Sequence, residues 1–404
     1  MTRPKNRFVE NLFLKGVVAV VSLATSICFA RIFTAEEYGW LITYRSGLQV
    51  LVAVILFGTI LNLVRAIASN GIDKRIVVEV FQSVRFRWTW VLVIIGLAVT
   101  CSLLPKESLL IGLVAFAMVV NSVYQAIYVG NSEVKKSIVR QELIPLILSS
   151  AAFIALVLTC NASTLWFFPV TGLFYAINEY FNWREVEVEN GNHELKLFDS
   201  RTQVTTGVGE MVEVLTLQIG IIFVAQYFEL KDVPEYAIPF RLVTMTNLVL
   251  VTMATTFSPR IAKHYSQGKS LKEPTRVVFV VGLFLALAFL VVIYCVGDLI
   301  LGLWNLSGTA ANEILRILAI GQAVNIGTSI SGMILLMAGG VQRHLQINIV
   351  NLFVISAGLG CLVIFDVVDI VAIAWIFCLA QVATNVLRLI FARKIILTAG
   401  KVDV

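Results

Sequence analysis

Apolar runs long enough to cross a hydrocarbon layer recur along the whole chain, separated by short polar or charged stretches. A ruler of about 18 or more mainly apolar residues predicts spans over 12–31, 40–64, 88–104, 108–129, 143–161 and 163–181 in the first half. The second half gives 207–228, 237–257, 277–297, 311–337, 346–365 and 367–390. In lipid such runs satisfy their backbone groups as α-helices, so the expected fold class is an all-α polytopic membrane protein of about twelve transmembrane helices. The stretch 298–316, with Asp298, Gly302 and Gly308, has room for a re-entrant turn.

Composition agrees with this reading. The 404 residues are 58% hydrophobic and 14% charged, which excludes an ordinary water-soluble domain. Arg3, Lys5 and Arg7 precede an apolar run, Leu12 to Ala30, which is too long for a signal-peptide core; an uncleaved first span is expected. Most of the 31 Lys and Arg fall in the N-terminal tail, in the loops after spans 2, 4, 6, 8 and 10, and at the C-terminal end. Arg31, Lys106 and Lys231 lie in the opposite loops. Basic loops face the cytoplasm, so both termini are expected there.

Several chemistries lose support at this point. Cys28, Cys101, Cys160, Cys295, Cys361 and Cys378 all sit in apolar spans without paired spacing, and inert buried thiols are expected. His193, His264 and His344 show no ligand pattern, so neither a metal nor a cofactor is expected. Gly268-Lys269-Ser270 lacks the glycine a phosphate-binding loop needs five residues earlier, since that position is Lys263. No nucleic-acid partner is expected.

An internal repeat organises the chain. Tyr38, Arg45 and Arg65 return as Tyr236, Arg241 and Arg260, shifted by 195 to 198 residues. Ala35-Glu36-Glu37-Tyr38-Gly39 precedes span 2, and Val233-Pro234-Glu235-Tyr236-Ala237 precedes span 8. Gly130 and Gly340, each ahead of basic residues, give a weaker echo. Six helices per copy is an even number, so the halves share one orientation and a parallel pseudo-two-fold repeat is expected. The expected domains are a six-helix bundle over 1–181, a cytoplasmic linker over 182–206 and a second six-helix bundle over 207–404.

The Glu-Glu-Tyr-Gly turn between the first two spans, the 6+6 plan, the basic loop after span 2 and the short outer loops resemble a known group. These are the Wzx-type polysaccharide and O-antigen flippases of the multidrug/oligosaccharidyl-lipid/polysaccharide (MOP) exporter superfamily. The resemblance implies a MATE-like fold, residence in the bacterial cytoplasmic (inner) membrane and no enzymatic activity. It implies a cargo of undecaprenyl-pyrophosphate-linked oligosaccharide, moved from the cytoplasmic to the outer leaflet by alternating access, with a polysaccharide polymerase and a chain-length regulator as partners.

Such a cargo carries an anionic pyrophosphate and polar sugars, so a cavity for it needs cations and hydrogen-bonding groups. Lys15, Arg45, Arg241 and Arg316 lie within expected spans and are the candidate substrate-binding residues. A guanidinium suits phosphate oxygens better than an ammonium does. Arg45 and Arg241 occupy equivalent repeat positions and fit either a shared cationic cleft or snorkelling to the interface. Arg65 and Arg260 fit orientation signals or a cytoplasmic entrance for the lipid-linked anion. Glu210 and Glu213, three residues apart in span 7, fit ion coupling through desolvated carboxylates or an interfacial acidic pair. Thr216, Gln218, Thr244, Asn247, Gln322 and Asn325 fit sugar contacts or ordinary interhelical hydrogen bonding.

Two rival functions stay open. One is a proton- or sodium-coupled multidrug antiporter of the same plan, in which intramembrane carboxylates would outnumber cations. The other is a peptidoglycan-precursor flippase, whose members typically have two further helices. A membrane polymerase or ligase would display a large outer loop, which this chain lacks.

Overall fold

The computed structural model describes residues 4–70, 74–100, 107–131, 133–160, 163–185, 200–248, 250, 253, 261, 264, 265, 267, 270–337 and 340–398. The chain is an all-helical, multi-pass membrane protein. Its first half comprises α1 (Pro4–Ile32), α2 (Ala35–Leu56), α3 (Thr59–Asn70), α4 (Lys74–Thr100), α5 (Glu107–Gly130), the short α6 (Val134–Ser137), α7 (Ile144–Cys160) and α8 (Phe167–Glu185). Then follow α9 (Ser200–Tyr227), α10 (Val233–Thr244), α11 (Lys272–Gly302), α12 (Ala310–Met337), α13 (Val341–Ile364) and α14 (Ile370–Thr398).

Eight segments among the described residues are long and apolar enough to cross a membrane: Phe13–Ile32, Ala35–Leu56, Val134–Cys160, Val204–Tyr227, Thr275–Gly302, Ala310–Leu335, Gln342–Ile364 and Ile370–Leu397. The remaining expected spans fall short of that measure for local reasons. The α4 helix carries Lys74, Arg75, Glu79, Arg85 and Arg87 in its first half, and α8 ends in Asn178, Glu179, Asn182, Arg184 and Glu185. The apolar part of α5 is the shorter stretch Val114–Gly130. Most of 249–257, the end of the expected eighth span, and 186–199 of the expected linker lie outside the described residues.

The chain divides into two compact units, one formed by Met1–Phe29 with Thr43–Gln218 and the other by Ala30–Ile42 with Ile219–Val404. In the first unit α5 packs against α3, α4 and α8, with Val119, Val123, Ala126 and Ile127 buried along its length. A Cβ on Gly130 would lie 2.8 Å from the Ile67 Cβ, so only glycine lets α3 and α5 approach this closely. Phe29, Phe153 and Phe167 form a cluster of edge-to-face rings with centroids 5.3–5.6 Å apart, a favoured aromatic geometry.

The second unit is built around α12, which packs against α10, α11, α13 and α14. Residues 30–42 join it through named contacts: Arg31 Nε donates to the Leu303 carbonyl at 3.3 Å, and a Cβ on Gly39 would collide with the Leu230 carbonyl. Tyr236 is fully buried and stacks on Phe240 with centroids 5.9 Å apart.

Three sequence expectations need correction. The span expected over 40–64 is interrupted at Phe57 and Gly58, which take positive φ values of 34° and 74° and end the regular hydrogen-bonding of α2. Within 298–316, α11 runs on to Gly302 and α12 begins at Ala310, and 303–309 between them is a tight turn rather than a re-entrant segment: the Asp298 carboxylate accepts the Gly308 N–H at 3.2 Å and closes it. Cys28, Cys160, Cys295 and Cys361 are exposed on helix surfaces, and Cys378 is buried. An outward thiol carries little cost where the surrounding medium is itself apolar.

Candidate functional site

Pro145 shapes a polar network inside the first unit. A proline in a helix removes one N–H and crowds the carbonyl four residues earlier, here that of Gln141. The helix widens just before it into a π-helical segment, Ile138–Leu143, the kind of bulge that often marks functional sites. Asn121 of α5 donates its side-chain amide to the Gln141 carbonyl at 3.0 Å.

The widened turn presents Gln141 and Glu142 to α1, α5 and α8. Lys15 of α1 donates to both Glu142 oxygens, at 2.5 and 2.6 Å, and Gln125 of α5 donates to Glu142 Oε1 at 2.6 Å. Asn178 of α8 donates to Asn121 Oδ1 at 3.4 Å and to Gln141 Oε1 at 3.3 Å. Tyr175, one turn earlier on α8, lies within electrostatic reach of Arg45, Glu142 and Glu179. Glu179 is buried beside Asn182, which accepts a hydrogen bond from the Tyr128 hydroxyl at 3.1 Å.

Charge is unevenly compensated in this network. Lys15 and Glu142 neutralise one another as a half-buried ion pair. Arg45, half-buried on α2, makes no ion pair or side-chain hydrogen bond among the described residues and lies within electrostatic reach of Tyr175. A guanidinium held in an apolar span without a carboxylate is costly, and an anion entering the network would relieve that cost.

The break between α2 and α3 is braced in the same unit. Arg87 of α4 donates to the Leu56 carbonyl at 2.8 Å, a helix-end acceptor that lacks a partner within α2, and to Thr59 Oγ1 at the start of α3 at 2.6 Å. Glu210 of α9 accepts the Gly58 N–H at 2.9 Å, and Asn62 donates to Thr206 Oγ1 at 3.2 Å. A Cβ on Gly207 would lie 2.7 Å from Phe57 Cδ1, so α9 fits tightly over the kink.

The sequence-derived candidates therefore take different places. Lys15 is paired with Glu142, and Arg45 borders the same network. Arg241, in the second unit, is half-buried on α10 and its carbonyl accepts the Met245 N–H at 3.0 Å. Arg316 is exposed, with its guanidinium carbon 5.5 Å from the Tyr294 ring centroid, an outward cation–π contact. Glu210 caps the broken helix and Glu213 is exposed. The Arg65 side chain and all of Arg260 lie outside the described residues. Gln218 donates to Gln49 Oε1 at 2.5 Å, and Gln322 donates to Thr246 at 2.7 Å and Asn247 at 3.0 Å, as interhelical polar contacts do.

Glu142, Glu179 and Tyr175 are members of the network that sequence reasoning missed. Glu142 falls one residue before the expected span 143–161. A hydropathy ruler assigns a charge in that position to a loop, whereas the π segment and α6 extend the helix back to Val134. Pro145 was the available signal.

The MatE family model matches residues 206–362. The chain is similar in fold to a multidrug resistance MATE family transporter of the MOP superfamily in an inward-facing conformation, at 14% identity and TM-score 0.77, covering 96% of each chain. An outward-facing conformation of such a transporter gives 13% identity and TM-score 0.72, covering 98% of this chain and 96% of the other. A MOP superfamily transporter from Pyrococcus furiosus, described by reverse polarity of its binding pocket and a suggested different function, gives 13% identity and TM-score 0.67, covering 97% and 95%. No curated protein matches the chain in sequence. The fold is that of the MATE transporters.

Proposed function

We propose that this chain is a transporter of the MOP superfamily that works by alternating access and flips an undecaprenyl-pyrophosphate-linked oligosaccharide, the precursor of an O-antigen, capsule or exopolysaccharide. One observation carries the anionic cargo. Glu142 of the first-unit network is engaged by Lys15, and the half-buried Arg45 makes no ion pair among the described residues, which leaves it for a ligand. A guanidinium recognises phosphate oxygens in a bidentate manner, while Asn178, Gln125 and Tyr175 offer donors and acceptors of the kind sugar hydroxyls need. Under this reading Arg241, the repeat partner of Arg45, is the candidate phosphate contact of its own unit.

The finer architecture belongs to the same proposal. Twelve crossings arise if α2 with α3, and α6 with α7, each count as one span and if α4, α5, α8 and α10 cross as well. The sequence repeat then relates 1–181 to 207–404 around the linker 182–206, with both termini cytoplasmic and the chain in the inner membrane. The polymerase and chain-length regulator of the same pathway are its proposed partners.

The test is genetic. In a strain whose surface polysaccharide depends on this gene, Arg45→Ala and Arg241→Ala should each lower surface polysaccharide while the protein still inserts at normal abundance. Undiminished polysaccharide from both variants defeats the assignment. Arg→Lys at each site separates charge from bidentate geometry.

A coupled multidrug antiporter remains the second reading, favoured by the buried carboxylate Glu179 and by Glu142 in the network. Loss of cation-drug resistance on deleting the gene, with polysaccharide intact, would support that reading instead.

A further inference from the structure

A second polar seam lies in the other unit, between α13 and α14. Three contacts run along it in antiparallel register. Thr384 donates to Asn351 Oδ1 at 2.8 Å, and Arg388 donates to Asn348 Oδ1 at 2.6 Å. At the end of the seam the Arg343 guanidinium sits 5.5 Å from the centroid of the Phe391 ring. Lys394 approaches the same ring at 5.7 Å.

The composition of the two helices is one-sided. Neither Val341–Ile364 nor Ile370–Thr398 contains an Asp or Glu, whereas Arg343, His344, Arg388, Arg393 and Lys394 gather where the first begins and the second ends. His344 lies close enough to Arg388 for their charges to interact, and its buried Nδ1 has no hydrogen-bond partner. A Cβ on Gly332 would come within 3.9 Å of His344 Cε1, so α12 closes the third side. Orientation in the membrane needs only cations in loops. Arg388 and His344 are instead half-buried between helices, about three turns and about one turn inside their helix ends.

We infer that this end of the α13–α14 seam binds the phosphate of an anionic lipid headgroup, with Arg388 and Arg343 as its principal charges and His344 and Asn348 beside them. The surroundings point to a lipid rather than a soluble phosphate compound. Phe353 is 71% exposed, and Ile349, Val350, Leu389 and Ile390 are also exposed on the same two helices, so acyl chains have apolar surface to lie on beside and below the charges. Phosphate taken by two guanidinium groups at a membrane surface is a recurrent mode of lipid recognition.

The full-length chain, purified in detergent and freed of lipid, supplies the test by native mass spectrometry with added phosphatidylglycerol or phosphatidylcholine. The wild type should retain phosphatidylglycerol in preference. Arg343→Gln and Arg388→Gln should each weaken that retention about five-fold, the value of roughly 1 kcal/mol per cation at a membrane surface. Arg393→Gln should leave retention unchanged, because Arg393 points about 160° round the helix from Phe391. The exposed Arg343 keeps the test open if Arg388→Gln does not fold, and Arg388→Lys should restore part of the retention. Equal retention by wild type and the Arg343→Gln/Arg388→Gln pair overturns the proposal. So does displacement of phosphatidylglycerol by millimolar inorganic pyrophosphate, which would assign the site to a soluble anion.

Discussion

Asn121 of α5 donates its side-chain amide to the carbonyl of Gln141 at 3.0 Å, the oxygen whose α-helical donor would be the N–H of residue 145, a proline. The interhelical bond thus holds the widened turn that carries Glu142 into the polar network. Asn121→Leu is expected to lower stability by about 1 kcal/mol, the scale of hydrogen bonds between membrane helices. Transport should fall further than stability does, since Glu142 loses its positioning. Thermal unfolding in detergent alongside a transport assay reads both, and equal losses would reduce Asn121 to a packing residue.

The Lys15–Glu142 pair admits a double-mutant cycle. Lys15→Met and Glu142→Gln each strand a half-buried partner, and each should cost about 1.5–3 kcal/mol, typical of hydrogen bonds to charged groups. The combined Lys15→Met/Glu142→Gln protein should be more stable than the sum of the single losses, because no uncompensated charge is left. Strict additivity in chemical or thermal unfolding would mean that the pair contributes no coupling.

Glu210 offers a way to separate capping from proton coupling. Its carboxylate accepts the Gly58 N–H, a task that a neutral amide oxygen also performs. Glu210→Gln should therefore keep both stability and transport near the wild type, while Glu210→Ala should lose about 1–3 kcal/mol by orphaning the Gly58 donor. Transport abolished by Glu210→Gln in a normally folded protein would favour ion coupling, one of the two roles left open by the sequence.

The kink itself is testable at Gly58. Its φ of 74° lies where a side chain costs about 1–2 kcal/mol, so Gly58→Ala should destabilise by that amount. Arg87→Ala should act in the same direction by uncovering the Leu56 carbonyl. If neither variant shifts the unfolding midpoint, the break is held by something other than these groups.

How much of this was legible in the sequence differs from residue to residue. Long apolar runs such as 277–297 and 367–390 were readable because hydrocarbon thickness sets a length that few other structures share. The break at Phe57-Gly58 was not, since glycine is common in membrane helices and nothing in sequence marks a phenylalanine for positive φ. Glu142 escaped because its helix begins before the apolar run does. Arg388 belongs to the basic C-terminal end by sequence although it lies within the expected last span, and its half-burial, its nearness to His344 and its contact with Asn348 separate it from an orientation signal. Arg45 was legible through the repeat, but its nearness to Tyr175 depends on how α2 and α8 pack.

The central claim is that Arg45 serves an anionic, lipid-linked cargo, and reconstitution tests it most directly. Purified chain in proteoliposomes carrying an undecaprenyl-pyrophosphate-linked oligosaccharide on one leaflet is assayed for appearance of the sugar on the other. The account expects movement with the wild type, a rate lower by about tenfold with Arg45→Ala, equivalent to roughly 1.4 kcal/mol, and partial recovery with Arg45→Lys. Movement by Arg45→Ala at the wild-type rate, or none by a folded wild type under an imposed ion gradient, would contradict it.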